Sequence, residues 1–124
     1  MKKILLVEDD PFLIDIYTRK LKKAGFGIVV AENGEEALKL LQQKVFDLVV
    51  LDIVLPQVDG WTILREIKEL KQKNKSLENL KIIILSNLSQ KEEVEKGLKL
   101  GASKYLIKAH YTPSQVVEEI KKIL

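Results

Sequence analysis

Five short runs of consecutive apolar residues, Ile4–Val7, Gly27–Ala31, Leu48–Leu51, Ile82–Leu85 and Tyr105–Ile107, recur along the chain with amphipathic stretches between them. Valine, isoleucine and leucine dominate the runs, and almost no position inside one is polar. A strand with one wet face alternates apolar and polar residues. A strand apolar at every position is buried on both faces, as in a parallel sheet. Parallel neighbours need a crossover, and a crossover of this length is a helix lying on a sheet face. The pattern predicts βα repeated five times, with right-handed crossovers and helices on both faces of one sheet.

The intervening stretches carry helix start and stop signals. Asp10 can cap a helix that has Pro11 at its first position, and Gly25 can end it. Asn33 with Glu36 resembles a capping box. Asp59-Gly60 precedes a helix with Ile63, Leu64, Ile67 and Leu70 along one face. Ser89 with Glu92 forms another box, and Gly101 closes that helix. Thr112-Pro113 with Gln115 opens the last helix, whose inner face is Val116, Val117, Ile120 and Leu124. The polar stretch Lys71–Asn79 reads as a loop. With 124 residues and no linker or repeat, residues 1–124 are expected to form one domain.

Composition narrows the function. There is no cysteine, so neither disulfides nor thiolate metal sites can form, which suits a reducing, cytoplasmic setting. The short apolar run after Met1 meets acids at once, unlike a signal peptide, and no run reaches the length of a membrane span. The net charge of +3 comes from lysines spread over helix faces, often at helical spacing from glutamates. That distribution describes solvated surfaces, and no direct contact with nucleic acid or membrane is expected.

The chemistry gathers just after the strands. Glu8, Asp9 and Asp10 follow the first run, Asp52 the third, Ser86 and Asn87 the fourth, Lys108 the fifth. In a doubly wound sheet these positions share the carboxyl edge, where ligands bind beside the reversal of strand order. With the flavodoxin-like order 2-1-3-4-5, Asp9 and Asp52 would face each other. Like charges that close resist joint ionisation. Carboxylates without histidine or cysteine suit a hard cation such as Mg²⁺, which relieves their repulsion and shares phosphate oxygens. A carboxylate there can attack a phosphoryl group, with a lysine and a hydroxyl stabilising the developing charge. Taken singly, Asp52 is a turn residue, Ser86 a strand cap, Lys108 a surface lysine and Tyr105 a packing aromatic. His110, the one histidine, reads as a solvated loop residue, and Trp61 as partly buried packing near the site.

The stretches LLVEDD, LVVLDIVLPQVDG, IIILS and GASKYLIK, in that order, resemble a response-regulator receiver domain over essentially the whole length. The resemblance implies a phosphorylation-controlled switch. Asp52 would be the phosphoacceptor, supplied by a histidine kinase or a histidine phosphotransfer protein. Asp9 would bind Mg²⁺ directly, with Asp52 and the Val54 backbone carbonyl, and Glu8 would act through water. Ser86 would bond the phosphoryl group, Lys108 would pair with it, and Tyr105 would turn inward as Ser86 moves. A downstream protein target would read the face of the fourth helix, fifth strand and fifth helix. The chain stops at its fifth helix pattern, so output through a partner is expected.

Two positions depart from the family pattern. Ala109 stands where proline, often after a cis bond, usually follows the lysine; a cis turn is not expected before alanine. Asn87 stands where a small residue is usual, and it either narrows access to the site or offers an extra hydrogen bond. Three rival readings remain. A Mg²⁺-dependent aspartyl-phosphate phosphatase would want a second aspartate where Val54 stands. An FMN-binding module would want a phosphate loop where EDDPF stands. A phosphate-independent binding module shares the fold without the chemistry.

Overall fold

The computed structural model describes all residues from Met1 to Leu124. In chain order the elements are β1 (Lys3–Val7), α1 (Pro11–Lys23), β2 (Gly27–Ala31), α2 (Gly34–Gln43) and β3 (Leu48–Leu51). They continue with α3 (Gly60–Lys73), β4 (Lys81–Ser86), α4 (Lys91–Lys99), β5 (Lys104–Ile107) and α5 (Pro113–Ile123). All five strands are parallel, in the order β2-β1-β3-β4-β5, the flavodoxin-like arrangement.

Side chains alternate across each strand, so every run feeds two cores. Leu5, Val7, Val49, Leu51, Ile82 and Ile84 face one side and pack on α2 and α3 through Ala37, Leu41, Ile63, Leu64 and Ile67. Ile4, Leu6, Leu48, Val50, Ile83, Leu85 and Leu106 face the other and pack on α1 and α5 through Tyr17, Leu21, Val116, Val117 and Ile120. This two-sided demand is why the runs carry no polar interior. Burial on both faces holds for β1, β3 and β4 apart from the first residues of β1 and β4. The edge strands β2 and β5 are only half-buried, contrary to the uniform expectation, because each has one neighbour.

Most caps fall where local chemistry placed them. Asp10 accepts from the Phe12 N–H, Asn33 from Glu36, Asp59 from Thr62 and Thr112 from Gln115. Gly25 and Gly101 end their helices at φ +96 and +112, left-handed conformations that glycine adopts without strain. Two expectations are corrected. The capping pair of α4 is Gln90 and Glu93, not Ser89 and Glu92: the sequence SQKEE holds both spacings, and the Gln90 N–H donates to Glu93 at 3.1 Å. The stretch Lys71–Asn79 is no plain loop: α3 runs to Lys73, and a 3-10 turn over Lys75–Leu77 buries Leu77 in the core. Asn74 caps that turn, and the Lys71 ammonium donates to the Leu80 carbonyl, so a polar stretch hides one anchoring leucine.

Candidate functional site

The sheet itself assembles the site. β1 and β3 are neighbours in register, with Val7 opposite Leu51, so the next residues, Glu8 and Asp52, emerge side by side where the strand order reverses. The Asp52 N–H donates to the Val7 carbonyl at 3.1 Å, which locks this juxtaposition. At the other end of the β3–α3 connection, Gly60 lies against the backbone of the acid-bearing segment. A Cβ there would stand 2.5 Å from Ile53 Cα and 2.6 Å from the Asp52 carbonyl oxygen. Glycine is needed at Gly60 for close approach, not for a left-handed backbone.

Lys108 follows β5 and crosses β4 to reach the acids. Its ammonium donates to Asp52 Oδ2 at 2.6 Å and lies 2.7 Å from Glu8 Oε1. Both carboxylates are buried, Glu8 at 2% exposure and Asp52 at 6%. A buried charge is costly unless paired and hydrogen-bonded. Here the remaining oxygens are also occupied: Asp52 Oδ1 accepts from the Val54 N–H, and Glu8 Oε2 accepts from the N–H groups of Asp9 and Asp10. Burial pushes the Glu8 carboxyl above its ordinary range, and Lys108 only partly opposes this. Burial alone would lower the Lys108 pKa, but the bonds to Asp52 and Glu8 outweigh it and hold the ammonium above its usual value.

The three consecutive acids take three different tasks. Glu8 turns inward to Lys108, Asp9 stays exposed, and Asp10 turns away to cap α1. A cavity of about 610 Å³ opens above them, lined by Glu8, Asp9, Asp52, Val54, Asn87 and Lys108 among others. Glu8, Asp9 and Asp52 each offer a carboxylate oxygen, all within 4.8 Å of one another. This oxygen-only set, part buried and part wet, fits Mg²⁺, which binds few carboxylates and keeps several waters.

Ser86 and Tyr105 stand behind this cavity. Ser86, the last residue of β4, is fully buried, and its hydroxyl accepts from the Leu88 N–H at 3.3 Å. The Tyr105 hydroxyl donates to the Leu88 carbonyl at 2.6 Å, and burial, helped by the nearby Glu93 charge, raises its pKa. His110 is exposed in a 3-10 turn over Lys108–His110, and Trp61 at the start of α3 carries the Lys96 ammonium over its ring at 4.4 Å.

Three features escaped sequence reasoning. Lys108 grips Glu8 as well as Asp52. Tyr17, buried in α1, lies within the field of this charge cluster; burial raises its pKa, and the Glu8 and Asp52 charges add to that. The side-chain oxygen of Asn87 accepts from the Ala109 N–H at 3.0 Å, which joins the two positions that depart from the family pattern. No local signal reveals a bond spanning 22 residues. Every peptide bond is trans, including the one before Ala109.

Comparison with known proteins agrees with this architecture. The family described as the response regulator receiver domain matches residues 4–121. The alkaline phosphatase synthesis transcriptional regulatory protein PhoP of Bacillus subtilis is 34% identical over 125 residues, covering 99% of this chain and 48% of PhoP. The chain thus spans about half the length of the curated relatives it matches. The receiver domain of Francisella response regulator 1452 superposes with a TM-score of 0.85 at 30% identity, covering 99% of this chain and 96% of that one. The response regulator TrrA of Thermotoga maritima, solved with Mg²⁺ and BeF, superposes with a TM-score of 0.81 at 34% identity, covering 100% of both chains.

Proposed function

The chain belongs to the response regulator receiver domain family, and on that premise we propose that it receives a phosphoryl group on Asp52 and switches partner binding in response. One observation carries the proposal: the Lys108 ammonium sits 2.6 Å from Asp52, with Glu8 and Asp9 placed for a cation beside them. A carboxylate oxygen of Asp52 attacks phosphorus in the phosphohistidine of a histidine kinase or phosphotransfer protein. The P–O bond forms as the P–N bond breaks, and the imidazole leaves with a proton. Lys108 neutralises charge on the phosphoryl oxygens, and the Val54 N–H orients the acceptor carboxylate. Asp9, Asp52, the Val54 carbonyl and, through water, Glu8 would hold Mg²⁺, which would supply positive charge against the phosphoryl oxygens.

Phosphorylation converts the buried Asp52 carboxylate to an acyl phosphate and adds charge beside the buried Glu8 carboxylate, and the surrounding equilibrium shifts. Ser86 gives up its bond to Leu88 and moves to the phosphoryl group; Tyr105 gives up its bond to the same residue and turns inward. The face of α4, β5 and α5 changes with them and is read by a downstream protein. The chain acts as a phosphoacceptor rather than a turnover enzyme, as one domain over residues 1–124, in the cytoplasm and without direct nucleic-acid contact. No helix is long and apolar enough to cross a membrane.

Intact-protein mass after incubation with Mg²⁺ and acetyl phosphate tests the proposal. One added phosphoryl group is expected, lost with EDTA and lost in Asp52→Asn. Uptake that survives Asp52→Asn overturns the acceptor assignment. If neither acetyl phosphate nor a kinase loads the protein and Mg²⁺ does not bind, a phosphate-independent binding module takes its place.

A further inference from the structure

We propose that Asn87 is a positioning residue that latches the turn carrying Lys108, a reading that rests on the phosphoacceptor role of Asp52. The β4–β5 pairing ends at Ser86 opposite Ile107. Beyond that pair no backbone ladder holds the two strand ends together, yet Asn87 continues the connection with its side chain. Its Oδ1 accepts from the Ala109 N–H at 3.0 Å. From the other side, the Tyr105 hydroxyl donates to the Leu88 carbonyl at 2.6 Å. Asn87 and Leu88 are therefore tied to residues on both sides of Lys108.

The consequence falls on Lys108. A lysine side chain is long and loses considerable freedom when fixed. Its ammonium reaches Asp52 and Glu8 only if the backbone at the start of the 3-10 turn is held. The residue immediately after it supplies the N–H that Asn87 binds. Asn87 and Lys108 line the same cavity, so the latch lies at the rim of the site. Alanine at 109 is the other half of the device: proline there would have no N–H to give. With Oδ1 committed, the orientation of the Asn87 amide is fixed too.

The test compares the full chain with Asn87→Ala, Ala109→Pro, their double variant and Asn87→Asp. The last keeps an oxygen for the Ala109 N–H. The first readout is the ¹⁵N signal of the Lys108 ammonium in metal-free protein, sharp when the group is held and broadened when it is free. Broadening is expected in Asn87→Ala and in Ala109→Pro, with the sharp signal retained in Asn87→Asp. The second readout is the initial rate of phosphorylation by acetyl phosphate at saturating Mg²⁺. A fall of about fivefold is expected in each single variant, the scale of one lost hydrogen bond. The double variant should fall no further, since both changes remove one bond. An unchanged ammonium signal in Asn87→Ala, or rate losses that multiply in the double variant, overturns the latch. If Ala109→Pro does not fold, the contrast between Asn87→Ala and Asn87→Asp decides alone. A wild-type protein that takes no phosphate defeats the phosphoacceptor reading, while the ammonium signal still decides the latch.

Discussion

Lys108 and Asp52 lie 56 residues apart in the chain, and their side chains meet at 2.6 Å. Neither would be tolerated there alone. Asp52 is buried beside a second carboxylate, and Lys108 is nearly enclosed. The sheet brings them together, because β3 and β5 both end at the same edge with β4 between them.

Lys108→Met should destabilise the metal-free protein strongly. Removing one partner of a buried pair leaves an uncompensated charge and costs about 3–5 kcal/mol; here Glu8 and Asp52 both lose their cation. Proton uptake by one of them will moderate the loss. Urea unfolding in EDTA should show the deficit, and added Mg²⁺ should restore part of it. An unchanged unfolding midpoint would show that Lys108 carries little of the site's stability.

Glu8 gives a pH signature of definite sign. Its pKa is raised in the folded protein above the ordinary value of 4.5. The folded state therefore binds this proton more readily than the unfolded chain. Its favourable contribution is complete below the unfolded value and is lost as pH rises through the folded value. In EDTA, Glu8→Gln should gain stability relative to wild type as pH rises above the ordinary value of 4.5. Thermal melts on both sides of that value check it; a flat difference would mean that Lys108 fully offsets the burial.

Gly60→Ala sets two effects of opposite sign against each other. Alanine favours a helix over glycine by about 1 kcal/mol. The added Cβ would meet the backbone of Asp52 and Ile53 at 2.5–2.6 Å, and backbone cannot step aside cheaply. Overpacking of this kind costs roughly 1–3 kcal/mol, so the variant should be less stable overall. Its Mg²⁺ affinity should fall as well, because Asp52 moves with its backbone. Calorimetric titration with Mg²⁺ alongside urea unfolding separates the two effects.

Tyr105→Phe removes the donor to the Leu88 carbonyl. About 1 kcal/mol of stability should go with it. The loss should concentrate in the segment after β4, read as faster amide exchange at Leu88 to Gln90 with β1 and β3 unchanged. Slow exchange retained at Leu88 would mean that packing of the ring, not its hydroxyl, holds the segment.

The strands, their two-sided burial at the sheet centre and three of the helix N-caps, Asp10, Asn33 and Thr112, were legible in the chain because their causes are local. Side-chain alternation and capping spacing act within a few residues, so Ile4–Val7 or Thr112–Gln115 can be read where they stand. The same locality explains the errors. SQKEE contains two overlapping capping pairs, and only packing chose Gln90 and Glu93. Leu77 sits in a polar stretch, and only the core beneath it reveals a buried turn. The residue types at the strand ends, Glu8, Asp9, Asp52, Ser86 and Lys108, were likewise visible as types. Which atoms they hold was not. The Lys108 grip on Glu8 and the Asn87 bond to Ala109 join parts of the chain that meet only once the strands are ordered, and the contact of Gly60 with the Asp52 backbone forms only as the β3–α3 connection folds back on itself. By itself the sequence determined the alternating pattern and the chemical groups along one sheet edge. Their distances were decided by the tertiary structure, since strand spacing and register, not proximity along the chain, set which of these groups touch.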